Sequence, residues 1–175
     1  MQSITLISAT NRKDSNTEKV ANYYYAQLKE KGVNASLLSL KELPDSFLTS
    51  DLYGKRSPEF QLIIDTYITD QTKFIFIAPE YNGSFAGVLK VFLDAIPPKL
   101  WTDNKACLVG VSSGRAGNLR GLEHLTNILN YLKINVYHNK LPLSIVDKLL
   151  DATGNIIDAD THKVIDAQLE GFLKF

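Results

Sequence analysis

Residues 74–84 read Phe74-Ile75-Phe76-Ile77-Ala78-Pro79-Glu80-Tyr81-Asn82-Gly83-Ser84. The first five are apolar without a break and leave no polar side for water. The run therefore predicts a strand covered on both faces, as in a parallel sheet. Pro79 ends the pairing, Asn82-Gly83 is a turn dipeptide, and Ser84 is positioned to cap a following helix. That helix is expected from about Ser84 to Ala95, with Val88, Leu89, Phe92 and Leu93 on its buried stripe, and Pro97-Pro98 stops it.

The same alternation of short apolar run and amphipathic segment repeats on either side. Further strands are expected at Ile4 to Ile7, Ala35 to Leu40, Ala106 to Val111 and Ile134 to Tyr137. A helix from Asn16 to Lys31 carries Val20, Ala21, Tyr24 and Leu28 on one stripe. It opens on the capping box Ser15-Asn16-Thr17-Glu18 and stops at Gly32. Ser57 and Pro58 open another, with Phe60, Ile63, Ile64, Tyr67 and Ile68 inward. Leu122, Leu125, Leu129 and Leu132 mark a fourth, and Val164, Ile165, Leu169 and Phe172 a C-terminal one. Strand and helix alternate five times, which with right-handed crossovers predicts an α/β, doubly wound parallel sheet with helices on both faces. The stretches Lys41 to Arg56 and Lys140 to Ala159 read as irregular, without an obvious site; the first suits either a mobile flap or a partner contact.

The 175 residues suit a single domain over 1–175 with one core. Lys+Arg and Asp+Glu are both 19, so the basic excess of a phosphate-neutralising nucleic-acid binder is absent, as is the acidic excess of a dedicated electron carrier. One cysteine, Cys107, excludes an intrachain disulfide framework, and it reads as a small core residue. His124, His138 and His162 lack the spacing of paired metal ligands, so no metal is expected. The apolar run after Met1 is too short for a secretory signal and none is long enough to cross a bilayer, so a cytoplasmic location away from membranes is expected.

In an open parallel sheet the ligand crevice lies beyond the carboxyl ends of the strands, where the strand order reverses. Three loops reach that edge: Ser8 to Thr17, Pro79 to Ser84, and Ser112 to Asn118. The first is rich in hydroxyls and amides and runs into a helix N-terminus. With Arg12 it suits a phosphate, although it has neither the glycines and lysine of a Walker A loop nor a G-x-G-x-x-G. The plain alternative is that Ser15 only caps the helix while Thr10 and Arg12 are solvated. The second loop presents backbone polar groups and Tyr81 to a flat heterocycle, or is an ordinary strand-to-helix turn. The third, Ser112-Ser113-Gly114-Arg115-Ala116-Gly117, closes the other side or is a flexible turn.

Thr10-x-Arg12-x-x-Ser15-x-Thr17, Pro79-Glu80-Tyr81-Asn82-Gly83-Ser84 with Gly87-x-Leu89-Lys90 and Asp94, and Ser113-Gly114-Arg115-x-Gly117 together resemble the NAD(P)H-dependent FMN reductase family. The resemblance runs from the first strand to the fourth helix, and its P-E-Y-N-x-S segment is the most specific part. It implies a flavodoxin-like, five-stranded sheet in the order 2-1-3-4-5, non-covalent FMN, and a homodimer or dimer of dimers with FMN near the interface. By resemblance, Thr10, Arg12, Ser15, Asn16 and Thr17 hold the FMN phosphate. Pro79, Glu80, Tyr81, Asn82, Gly83 and Ser84 run along the isoalloxazine, and Ser113 and Gly114 meet its other edge. The family often has Gly-Ser in place of Ala9-Thr10 and Asn in place of Thr17, yet both threonines keep a hydroxyl for the phosphate. Ala95 replaces an aromatic residue often seen after Asp94, which bears on the dimer contact or the substrate edge.

The expected activity is passage of electrons from NADPH or NADH through FMN to a small acceptor: a quinone, azo compound, free flavin or metal ion. The flavin supplies the redox chemistry, so no catalytic side chain is assigned. Glu80 reads as a turn carboxylate facing water and His124 as exposed or capping. Of the run Tyr23, Tyr24 and Tyr25, at least one is expected in the core and another exposed. Trp101 fits a subunit contact or a loop anchor equally. No 2′-phosphate pocket is defined beyond a guess at Arg115, so the two nicotinamides stand equal. The rival readings are a flavodoxin-like electron carrier that does not oxidise nicotinamide and a flavin-free regulatory protein on the same fold.

Overall fold

Strands β1 (Ser3–Ser8), β2 (Asn34–Ser39), β3 (Lys73–Pro79) and β4 (Lys105–Val111) pair in parallel, with β5 (Asn135–Val136) beyond β4, in the order β2-β1-β3-β4-β5. The structure, a computed structural model, describes residues 3–53 and 55–175. Met1 and Gln2 of the N-terminal run, and Gly54 of the 41–56 stretch, lie outside them.

Every residue of β3 is buried, and the period-2 alternation of a strand divides its apolar run between two cores. Phe74, Phe76 and Ala78 face one side with Ile7, Ala106 and Leu108. That side is covered by α3 (Pro58–Tyr67), α4 (Gly87–Ala95) and α5 (Leu119–Tyr131), which contribute Phe60, Phe92, Leu122 and Leu125. Ile75 and Ile77 face the other side with Ile4, Leu6, Cys107 and Val109. There α1 (Asn16–Glu30) and α6 (Ala159–Lys174) bring Tyr24, Leu28, Ile165, Leu169 and Phe172. The doubly wound arrangement follows.

Local chemistry sets most of the boundaries. The Ser15 side chain accepts from the Glu18 N–H at 3.1 Å, whereas the Glu18 carboxylate pairs with Lys41, so only half of the capping box forms. Ser57 caps α3 by accepting from the Phe60 N–H at 3.2 Å, with Pro58 in the first turn. Ser84 does not cap α4. That helix begins at Gly87 after Ala86, without a side-chain cap.

The two stretches read as irregular are both built in. Between Lys41 and Arg56, short turns at 40–42 and 45–48 and the one-turn α2 (Ser50–Tyr53) fold onto the core. Phe47 is buried with its ring 5.2 Å from that of Phe60. The buried Asp51 accepts from the hydroxyls of Ser46 and Ser57 and from the Ser57 N–H. Between Lys140 and Ala159, β6 (Leu141–Leu143) pairs with the far end of β4, Val109 opposite Leu141. The fifth strand position is therefore split: β5 meets Lys105 and Ala106, and β6 meets Val109 to Val111.

Trp101 lies wholly inside, edge-on to Phe74 at 5.1 Å, and is a core anchor. Ala95 is buried too, and its carbonyl accepts from Arg56. Of the tyrosine run, Tyr24 is buried and donates to Gln168 of α6 at 2.8 Å, while Tyr23 and Tyr25 are half-buried. Two lysines at the amino ends of the central strands hold the last turn of α6. Lys73 donates to the carbonyls of Phe172 and Leu173 at 3.1 and 2.9 Å, and Lys105 donates to that of Phe175. Such cations neutralise the negative end of a helix dipole.

Candidate functional site

The loops after β1, β3 and β4 meet at the carboxyl edge of the sheet, where β1 and β3 are neighbours although their helices leave on opposite faces. Between them is a cavity of about 340 Å³, within the size range of cofactor pockets. Of the residues singled out in the sequence, Arg12, Ser15, Asn16, Thr17, Pro79, Glu80, Tyr81, Ser113 and Gly114 line it. Asp14 and Ser112, which belong to the expected loops without having been given a role, line it as well, as do Val111, Val146 and Asp147, which lie outside those loops.

At one end the chain enters α1. The first-turn amides of Asn16 and Thr17 have no carbonyl four residues back to bond, and the helix dipole directs its positive end there. The hydroxyls of Ser15 and Thr17 and the exposed Arg12 side chain share this end. Among the described residues Arg12 makes no ion pair. Neutral donors, a dipole and an uncommitted guanidinium are the chemistry of a phosphate receptor. This donor set fits the phosphate of FMN.

Thr10 is not part of that lining. It is buried, with its Oγ1 2.9 Å from the Tyr81 hydroxyl and accepting from the Arg12 N–H at 3.2 Å. Thr10 therefore joins the first loop to the second and shapes both.

The second loop is a tight turn. Tyr81 and Ser84 exchange backbone bonds of 2.7 and 3.0 Å, with Asn82 and Gly83 both at positive φ between them. Asn82, Gly83 and Ser84 fall outside the cavity lining. The Arg120 guanidinium crosses Gly83, where a Cβ would come within 2.9 Å of it, and Ser84 Oγ meets His124 Nδ1 at 2.9 Å. His124 therefore braces this turn from α5. Glu80 is not a free turn carboxylate. It is half-buried and accepts from the Ser112 hydroxyl at 2.7 Å, while Ser112 Oγ accepts from the Gly114 N–H at 2.9 Å.

Asn118, the end of the third loop, holds the base of the site, a role its sequence position did not assign. It is fully buried at φ 67°, and its Nδ2 donates to the carbonyls of Ala78 and Pro79 at 3.0 Å each. The third loop lies directly on β4 because Gly110 has no side chain: a Cβ there would be 2.1 Å from the Gly117 carbonyl oxygen. Arg115 is exposed and does not line the cavity.

Asp147, in the turn after β6, accepts from Asn16 Nδ2 at 2.7 Å. Hydrogen bonds from Ser113 and Asn16 hold its carboxyl below the usual range, so it is ionised at neutral pH. Burial pushes the Cys107 thiol well above its ordinary value and keeps it unreactive.

The NADPH-dependent FMN reductase family model matches residues 3–146, which include all three loops. The chain belongs to this family. Nicotinamide-dependent reduction through FMN is thus its chemistry, and the flavodoxin-like sheet order is the one expected. A 2-hydroxy-1,4-benzoquinone reductase of a Burkholderia species is 27% identical over 174 residues, covering 97% of this chain and 93% of that protein. An NAD(P)H-dependent FMN reductase of Pseudomonas aeruginosa is 28% identical over 143 residues, 79% of this chain and 76% of that one. Among solved structures, the flavoenzyme NAD(P)H:(acceptor) oxidoreductase FerB of Paracoccus denitrificans has the same fold, with a TM-score of 0.82, 22% identity, and coverage of 99% and 96%.

Proposed function

We propose that this family member binds FMN with its phosphate at Arg12, Ser15, Asn16 and Thr17 and its ring beside Pro79, Tyr81, Ser113 and Gly114, and passes the electrons to a small quinone. The observation that carries the reading is the single cavity joining an uncommitted phosphate receptor at the α1 N-terminus to the Pro79–Tyr81 segment. The quinone is suggested by the Burkholderia relative's activity. Azo compounds, free flavins and metal ions are the other acceptor classes considered.

Bound FMN supplies hydride acceptance and two-electron release. The chain's own work is to bind and orient. Arg12 and the α1 amides neutralise the phosphate; Tyr81, fixed by Thr10, sets one wall; the Glu80–Ser112–Gly114 chain of hydrogen bonds fixes the other. Nicotinamide and acceptor then use the same open face in turn. The proposal extends to one domain over residues 1–175, a homodimer or dimer of dimers in the cytoplasm, and no nucleic-acid or membrane partner. In support of the last point, among the described residues no helix is long and apolar enough to cross a membrane.

The test is the visible spectrum of protein reconstituted with FMN, taken anaerobically before and after NADPH or NADH, and again after adding a benzoquinone. Bound flavin that bleaches with a nicotinamide and recovers its colour with the quinone is expected. Bound flavin that neither nicotinamide bleaches would overturn the reading in favour of an electron carrier, and failure to bind FMN would overturn the site. Light scattering that finds a monomer with FMN bound would remove the dimer.

A further inference from the structure

The turn at Ile145–Lys148 is strained and deliberately fastened. Ile145 has φ 50°, a left-handed conformation that a β-branched side chain rarely adopts. Two backbone bonds hold it there: the Ile145 N–H donates to the Gly114 carbonyl and the Val146 N–H to that of Ser112, each at 3.0 Å. Both acceptors belong to the third loop of the site. The result is that Asp147 lines the cavity, with its carboxylate accepting from Asn16 Nδ2 at 2.7 Å and with Ser113 beside it in the lining.

In the reading above Asn16 belongs to the phosphate end of the site and Ser113, which lines the same cavity, to the ring end. A carboxylate bonded to the one, in a turn whose backbone is fastened to the loop that carries the other, therefore stands beside whatever links phosphate to ring. It has about four lone-pair positions and no proton to give, so it is matched only to ligand groups that donate. Asn16 uses one of those positions. The linker of a flavin nucleotide is a polyol, a row of O–H donors.

We infer that Asp147 accepts hydrogen bonds from the ribityl hydroxyls of the flavin and so sets the position of the ring relative to the phosphate loop. The inference rests on the FMN reading above. It also accounts for a negative charge being kept so close to an anion site: the carboxylate serves the segment between the anion and the ring, and Arg12 offsets its charge at the phosphate end.

The experiment is a binding cycle on the apo-protein, read by flavin fluorescence, with FMN and its 2′-, 3′- and 4′-deoxyribityl analogues against wild type and Asp147→Ala. Circular dichroism monitors folding, and the isosteric Asp147→Asn takes the same cycle if the alanine variant fails to fold. In wild type, at least one deoxy analogue should bind on the order of 10-fold more weakly than FMN, the size of one charge-assisted bond. In Asp147→Ala that analogue and FMN should bind alike, both weakened. Penalties of hydroxyl and carboxylate that simply add for all three analogues would overturn the inference, as would an Asp147→Ala protein that binds FMN as tightly as wild type or more so. Wild-type protein that binds no FMN would instead sink the underlying reading, before any variant is measured.

Discussion

Asn118 tests how the site is held. Among the described residues its carboxamide is the sole side chain donating to both Ala78 and Pro79, the last two residues of β3, and it does so from a fully buried position. Replacement by alanine removes two bonds and strips two carbonyls of a partner, at about 1 kcal/mol or somewhat more each. Alanine also inherits φ 67°, a region that disfavours it by roughly 1–2 kcal/mol. Asn118→Ala should therefore lose about 3–4 kcal/mol, read from urea unfolding at neutral pH with the slope unchanged. Asn118→Asp separates the contributions, because aspartate tolerates the same backbone and has nearly the same shape. Ionised, it faces two carbonyls with no proton, so its pKa must rise in the folded state. A folded state that takes up protons more readily than the unfolded one gains stability as pH falls. Relative to wild type at each pH, Asn118→Asp should thus be worst near pH 7.5 and recover toward pH 4.5, where the acid can donate one of the two bonds. A loss under 1 kcal/mol for alanine, or no relative recovery for aspartate in acid, would refute the role given to this side chain.

Arg12→Ala should weaken FMN binding by about 1.5–3 kcal/mol through loss of a charge-assisted contact while leaving riboflavin unaffected; equal FMN affinity by equilibrium titration would remove Arg12 from the phosphate site. Gly110→Ala puts a methyl 2.1 Å from a backbone oxygen and should cost about 2 kcal/mol or more; a wild-type urea midpoint would mean that the third loop lifts freely off β4. At Asp51, burial raises the carboxyl pKa, but bonds from the Ser57 N–H and the Ser46 and Ser57 hydroxyls, with nearby Arg56, outweigh it and bring it below 3.8. Its stabilising contribution is complete above that value and fades as pH falls through the lower folded-state pKa. Asp51→Asn should accordingly flatten the acid limb of the unfolding profile below pH 3.8, and an unaltered limb by circular dichroism would contradict the bonding seen.

The strands of the sheet centre were legible because their apolar runs are too long and too continuous to be anything else. The Leu141–Leu143 strand was not. Three residues with a proline in the middle carry no periodic signal, and proline is admitted here because the strand lies on an edge. The three site loops could be found from turn chemistry alone, yet which of their residues face the cavity could not. Thr10 and Ser84 offer the right hydroxyls and spend them on Tyr81 and His124. Asn118 was placed only as the end of a loop and Asp147 not at all, because an asparagine near Gly117 and an aspartate in a loop are ordinary in sequence. Only the tertiary fold brings Asn118 under β3 and Asp147 across from Asn16, 131 positions away. Trp101 after two prolines fitted a subunit contact or a loop anchor equally; its burial follows from the aromatic pocket of Phe74, Phe76 and Phe92, drawn from two elements.

The lysine clasp on α6 bears on the order in which the protein is made. One whole face of the sheet is shared between α1 and α6, which lie far apart in the chain with α1 made well before α6. Until residues 159–174 have left the ribosome, Ile75, Ile77, Cys107 and Val109 lie beneath a half-built roof. Lys73 meanwhile waits near the sheet with no carbonyls to receive it. A chain that has α1 but not yet α6 therefore presents apolar sheet to its surroundings, and that surface is covered only when α6 closes over the gap and the two lysines grip its end.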